Sequence, residues 1–482
     1  MTGDGHSRPR GDRAGGRASD PRSRGASNGN RGAAGPDRSR DRQQHRVDPP
    51  RWVAFQAISA VHRDDGYANL VLPKLLAEHR IRGLDAAFAT ELTYGTLRLG
   101  GSLDTVIAAA ADRAVERIDP PTRDALRLGA YQLLHMRVPA HAAVSTTVDL
   151  VRTVAPGAIG FANAVLRRIG QRDWQTWLDE LGPGDLALRY AHPPWVVRAF
   201  SDALKDRKDE LEDLLAADNT PAPVHLCARP GRITARELAE ETGGVVGPFG
   251  AYAVHLPDGA PGDHPAVRDG LAHVQDEGSQ LVAAALADAP LDGTDRRWLD
   301  LCAGPGGKAA LLGSLAALRG AEVAAVEVAP HRARLVEHAV RGLPVEVYCG
   351  DGRDFDAPAY DRVLVDAPCT GLGALRRRPE ARWRRQPNDL PPLTRLQREL
   401  LRSALDLTRP GGIVAYVTCS PHINETRMAV DETIRRFDGR IERLDARPLM
   451  ENVTDSGDGP WAQLWPHRHG TDAMFLALLK RV

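Results

Sequence analysis

The sequence predicts a multidomain chain: an all-α helical bundle, a small α+β segment, and an α/β domain on a mostly parallel sheet. Three observations carry this. Residues 48–180 repeat apolar positions at helical spacing and nowhere alternate like a strand. After Thr294 the rhythm becomes strand, loop, helix, which implies parallel strands with helices on both faces. At 482 residues the chain has room for two to four domains, taking roughly 100–200 residues for each.

Residues 1–47 hold almost no large apolar side chain, and in the first 50 residues 11 Arg stand against six Asp. Such a segment cannot offset its ordering entropy by burial, so it reads as a disordered, solvated tail; a weak electrostatic tether to nucleic acid is the alternative. In the bundle, Arg51 to His62, Leu70 to His79, Ala86 to Arg98, Leu103 to Ala111, Pro121 to Leu134, His141 to Val151 and Gly160 to Arg168 read as helices. Gly, Pro or Asp separates them. Residues 181–293 are mixed: Val224–Ala228 and Ala251–Leu256 read as short strands around a helix at Thr234–Glu241. From 294 to 482, Arg297–Leu301, Glu322–Val328, Val345–Cys349, Tyr360–Val365, Gly412–Val417 and Met474–Leu479 read as strands.

Composition narrows the class. The 63 basic and 63 acidic residues cancel, which excludes a polycation, and 58 of the basic residues are Arg. The longest apolar run is seven residues, Leu281 to Ala287, far short of the ~18–20 that span a bilayer. The N-terminus has no apolar core behind its arginines, so no secretory signal is expected. Five scattered cysteines make no disulfide framework. A cytoplasmic protein without a metal, a membrane or an obligate protein partner is the expectation.

The chemistry concentrates at the strand ends. Asp300-Leu-Cys-Ala-Gly-Pro-Gly-Gly-Lys308 lies where the first large-sheet strand gives way to a helix at Ala309–Leu318. Glycines there let the backbone turn tightly and approach a ligand beside a helix N-terminus. The spacing is neither that of a dinucleotide-binding fingerprint nor that of a P-loop. Glu327 ends the second strand, placed for a ribose diol; Asp351 ends the third and Asp366 the fourth. Together they mark a nucleoside-type site at the carboxyl edge of the sheet.

Two thiols lie at neighbouring strand ends, in Asp366-Ala-Pro-Cys369-Thr-Gly and Thr418-Cys419-Ser420. A thiolate is suited to adding to C6 of a pyrimidine, which makes C5 nucleophilic enough to take a methyl group. A base must then remove the C5 proton before the thiol can leave. Arg376-Arg-Arg-Pro-Glu-Ala-Arg-Trp-Arg-Arg385 follows directly. Its Arg376, Arg377, Arg378, Arg382, Arg384 and Arg385 enclose Trp383, a combination of phosphate-pairing charge and a stacking ring that reads as RNA contact.

Asp300–Lys308, Asp366–Gly373 and Thr418–Ser420 together resemble the RNA 5-methylcytosine methyltransferases that use S-adenosyl-L-methionine, whose domain is Rossmann-like. Phe88–Arg98, Arg127–Leu134, Pro139–Val144 and Phe161–Arg168 resemble a NusB-like RNA-binding domain. The fusion is similar to the RsmB (Sun/Fmu) group of small-subunit ribosomal RNA methyltransferases, from about residue 50 to the end.

The resemblance implies Cys419 as nucleophile and Cys369 as the thiol assisting release. It implies Cys302, Ala303, Gly304, Pro305, Gly306, Gly307, Lys308, Glu327, Asp351 and Asp366 around S-adenosyl-L-methionine, with Asp366 also at the cytosine edge. The second-strand acid is Glu where the group usually has Asp, and Pro421-His-Ile-Asn-Glu425-Thr departs from the usual Leu/Pro-Glu-Glu-Asn type. The expected function is methylation of C5 of a cytosine in RNA, small-subunit ribosomal RNA first. The alternatives are transfer RNA as substrate, or a non-catalytic RNA-binding antitermination-type protein.

Overall fold

The computed structural model describes residues 47–482 except 258, 260 and 438. The expected disordered tail lies outside them, Val47 apart.

Seven helices lead: α1 (Pro49–Arg63), α2 (Ala68–Glu78), α3 (Gly83–Ala111), α4 (Pro120–His135), α5 (Ala140–Val154), α6 (Ile159–Ile169) and α7 (Trp174–Leu181). Asp48 and Asp119 cap α1 and α4 by accepting from the N–H groups of Arg51 and Thr122, and each helix then opens on Pro, which has no N–H to satisfy. Ile58, Leu92, Leu103, Leu126 and Leu166 meet in one core. One expectation is corrected. Ala86–Arg98 and Leu103–Ala111 are not two helices but parts of α3, which runs unbroken through Gly100 and Gly101. The glycines make a notch: a β-carbon on Gly101 would lie 2.3 Å from the indole of Trp383.

Two helices, Pro194–Leu204 and Leu211–Ala217, follow before a four-stranded antiparallel sheet, with strands β1 (Val224–Ala228), β2 (Val245–Val246), β3 (Ala253–Leu256) and β4 (Ala272–Val274) in the order β2-β3-β1-β4. The helix Ala235–Thr242 begins with a reciprocal capping box between Thr234 and Glu237. The apolar run at 281–287 lies in a helix, Glu277–Asp288, that leads into the large sheet.

That sheet comprises β5 (Arg297–Asp300), β6 (Glu322–Glu327), β7 (Val345–Cys349), β8 (Tyr360–Asp366), β9 (Thr408–Thr418), β10 (Ile441–Leu444), β11 (Ala462–Gln463) and β12 (Phe475–Arg481). The order is β10-β12-β9-β8-β5-β6-β7, with β11 paired to β12; β5 to β9 are parallel, and β12 is antiparallel to its neighbours. Strand residues alternate between two cores. Trp298, Leu364 and Ile413 pack with Leu281 and Leu312 on one face, whereas Leu299, Val363 and Val414 pack with Leu400 and Leu405 on the other. β10 was not expected: half of it is the exposed pair Glu442 and Arg443, the polar sequence of a sheet edge. No helix among the described residues is long and apolar enough to cross a membrane.

Candidate active site

Strand order reverses beside β5, and the crevice outside the carboxyl ends of strands at such a point is where ligands enter this architecture. The glycine-rich turn fills one side. Gly306 has φ +113°, and a β-carbon there would come within 2.7 Å of Ala339, so only glycine is accommodated. Gly304, joined to Pro305 by a cis peptide, donates its N–H to Glu327 Oε2 at 3.1 Å, while Glu327 Oε1 accepts from Ala329 N–H at 2.9 Å. Ala303 is buried and donates to the Val326 carbonyl, fixing the turn to β6. Gly307 opens the helix Gly307–Arg319. Asp351 is held by Arg353 at 2.6 Å, which also reaches Glu399 at 2.8 Å.

Arg332 escaped sequence reasoning altogether, and Asp300 was read only as the start of the motif. Arg332 donates to the Gly304 carbonyl at 2.5 Å and lies 3.5 Å from Glu327. Asp300 is fully buried, and neither of its carboxylate oxygens has a hydrogen-bond partner. Burial, with the nearby Asp366 adding to it, pushes its pKa up to about 7. An orphaned buried carboxylate beside a glycine turn is a seat for a ligand's cationic group. Burial pushes the neighbouring Cys302 thiol up, leaving it a neutral lining group.

β8 and β9 pair in parallel with Asp366 opposite Val417, so the loops that follow them meet. Cys369 Sγ and Cys419 Sγ are 3.4 Å apart. The hydrogen bond between them holds the Cys419 thiol below its ordinary range against the opposing effect of burial, with Lys308 and Arg378 adding to the lowering. The same bond pushes Cys369 up, so of the two thiols Cys419 is the readier to lose its proton. Lys308 Nζ lies 2.9 Å from Asp366 and 3.4 Å from Ser279 Oγ. Burial works against its charge, but the Asp366 carboxylate outweighs burial and raises its pKa. Buried Glu425, in the unusual post-nucleophile loop, accepts from Thr370 and from Gln397 Nε2 at 3.0 Å, and so ties the two cysteine loops together.

The arginine run is corrected: most of it faces inward. Arg382 is fully buried and donates to the carbonyls of Arg98, Ala191 and Asp218 and to Asn219 Oδ1. Trp383 donates from its indole to the Leu97 carbonyl at 2.9 Å and lies in the Gly100–Gly101 notch. Arg376 donates to the Gly470 carbonyl, and Arg377 bridges Asp276 and Asp472. Arg384 donates to the carbonyls of Val61 and Gly66, and Arg385 to that of Thr370. The segment locks the α1–α7 bundle to the catalytic loops. Arg378 alone is exposed, its guanidinium 5.7 Å from the ring of Tyr67.

A glycine-rich turn and paired thiols at the carboxyl edge of such a sheet fit a methyltransferase domain, here joined to a helical bundle. Family models agree by region: the NusB family matches residues 48–171, and 16S rRNA methyltransferase RsmB/F matches residues 286–480. The chain is 57% identical over 455 residues to Rv1407 of Mycobacterium tuberculosis, whose name says methyltransferase and no more; the match covers 92% of this chain and 99% of that one. It is 32% identical to ribosomal RNA small subunit methyltransferase B of Salmonella arizonae, over 89% of this chain and 98% of the relative. The crystal structure of PH0851 shares the fold, with TM-score 0.75 and 22% identity over 90% of this chain and 99% of the other. This chain belongs to the RsmB/F family of RNA methyltransferases.

Proposed function

We propose that the protein methylates C5 of a cytosine in small-subunit ribosomal RNA, with Cys419 as nucleophile and S-adenosyl-L-methionine as methyl donor. The observation that carries the reading is the 3.4 Å pair of thiols in which Cys419 is the acidic partner. The names of the relatives support ribosomal RNA over transfer RNA, and the intact pair argues against a retired catalytic domain. We place the enzyme in the cytoplasm with its substrate.

The residues present fit the cofactor. The unpaired carboxylate of Asp300 suits its ammonium group, Glu327 the ribose diol and Asp351 the adenine edge, with Cys302 to Lys308 forming the floor. When bound, S-adenosyl-L-methionine supplies an electrophilic methyl group. Cys419 forms a bond to C6, and the electron pair of the C5–C6 double bond shifts so that C5 becomes the nucleophile. Asp366, steered by Lys308, faces the cytosine edge. After methylation a base takes the C5 proton, the C5–H electron pair restores the ring double bond, and the C6–S bond breaks with its electron pair leaving on the Cys419 sulfur. Cys369, which retains its proton, hydrogen-bonds to the departing Cys419 thiolate.

The test is a pair of alanine variants incubated with RNA and labelled cofactor. Cys369→Ala accumulates a protein–RNA adduct that survives denaturing electrophoresis; Cys419→Ala forms none, and neither does the double variant. Trapping in Cys419→Ala instead would overturn the assignment of roles, and no methyl transfer by the native chain would overturn the reaction.

A further inference from the structure

With the arginine run turned inward except at Arg378, further free cations near Cys419 lie elsewhere. An open cleft borders the loop after Cys419, lined by Pro421 and Ile423 of that loop and by Lys205, Arg427 and Trp461. It lies at the carboxyl edge of the large sheet: Trp461 packs on Phe475, ring centroids 6.4 Å apart, and Phe475 is the register partner of Thr418, the residue before Cys419.

Four cations line this cleft against one acid, Asp458. Of its four cations, Arg207 is held by Asp455 at 3.2 Å and Arg468 by Glu210 at 2.7 Å. Lys205 and Arg427 have no carboxylate within ion-pair distance among the described residues; Asp431, one turn from Arg427, is taken by Arg443 at 2.8 Å. Lys205 is exposed, and its ammonium lies 6.0 Å from the centroid of the half-buried Trp461 ring. Its backbone has φ +54°, a left-handed conformation that is strained for a residue with a β-carbon and that gathers at functional sites.

We propose that this cleft binds a nucleotide of the substrate RNA adjacent to the target, its base against Trp461 and its phosphates on Lys205 and Arg427. An aromatic face beside two cations without ion-pair partners is the pairing that single-stranded nucleic acid uses. The proposal rests on the reading that the chain acts on RNA. It names a contact outside both the cofactor turn and the arginine run.

The experiment uses the full chain and unmodified small-subunit ribosomal RNA transcript. Binding is measured without cofactor from 50 to 300 mM KCl, and methyl transfer separately with labelled cofactor. Each phosphate contact to a single strand contributes about 0.7 to the slope of log affinity against log salt. Lys205→Ala with Arg427→Ala therefore flattens the slope by roughly 1.4 and raises the KM for RNA about tenfold, with cofactor affinity unchanged. Lys205→Arg with Arg427→Lys restores the slope. A native slope in the double alanine variant overturns the proposal and leaves the cleft to a protein ligand. If the native chain binds RNA without methylating it, the proposed reaction fails while the slopes still decide the cleft; if it binds no RNA, both fall.

Discussion

Thr370 grips Glu425 twice: its backbone N–H donates to one carboxylate oxygen at 2.8 Å and its hydroxyl to the other at 2.5 Å. One residue follows the Pro-Cys thiol and the other closes the loop after Cys419. The separation of the two sulfurs is therefore set by a buried carboxylate that touches neither of them.

Glu425→Ala removes both acceptor oxygens, so all three bonds from Thr370 and Gln397 are lost. The thiols drift apart. Methyl transfer falls about 10- to 100-fold in kcat, the cost of misplacement near 1 Å, while the KM for RNA holds. Adduct yield in a Cys369→Ala background falls in parallel. A normal kcat would mean that the thiols are positioned otherwise.

Gly101→Ala tests the notch. An exposed helical Gly→Ala change stabilises by roughly 0.5–1 kcal/mol, but here the new methyl meets the Trp383 indole, 2.3 Å from the β-carbon position. Overpacking reverses the sign, to a loss of about 1–3 kcal/mol in urea unfolding. Adding Trp383→Ala recovers part of that loss, so the two changes are non-additive. Additive losses would separate the glycine from the indole.

Lys308 and Arg378 help keep Cys419 acidic. Lys308→Met moves the midpoint of Cys419 alkylation by iodoacetamide to higher pH, and Arg378→Ala moves it less. Mass spectrometry of the modified peptide distinguishes Cys419 from Cys369. An unmoved midpoint in both variants would assign the acidity to the sulfur–sulfur hydrogen bond alone.

Asp300 makes the cofactor-free protein sensitive to alkali. Its folded pKa of about 7 stands above its ordinary value of 3.8, so between these pH values the folded state holds a proton that the unfolded state has released. Stability therefore falls as pH rises from about 4 to about 7 and stays low above, by at most roughly 4 kcal/mol. Asp300→Asn removes this loss: its Tm exceeds the native value at pH 8 and approaches it at pH 4. Equal Tm differences at both pH values would contradict the account.

Much of this was legible in the sequence. Period and glycine placement located the parallel strands within a residue or two at most of their ends, and the thiols at adjacent strand ends did converge. What escaped has physical causes. Gly100–Gly101 looked like a helix break because nothing local reveals an indole arriving from residue 383. The arginines looked like a nucleic-acid surface because a buried guanidinium satisfied by distant carbonyls has the same one-letter code as a solvated one. Asp300 was visible as part of the motif, but its want of a partner exists only in three dimensions. Glu425 was visible as a departure from the family pattern, and only the fold shows its bonds to Thr370.

The Trp383 contact has a consequence for how the molecule is made. Its indole reaches Leu97 across 286 residues of chain. At about 5–20 residues per second of synthesis, the N-terminal bundle stands roughly 15 to 60 s with its glycine notch open before the plug emerges. During that interval the nascent bundle displays bare helix backbone to its surroundings, and its final stability arrives only with the last third of the protein. Vectorial folding, domain after domain, does not complete the first domain of this chain.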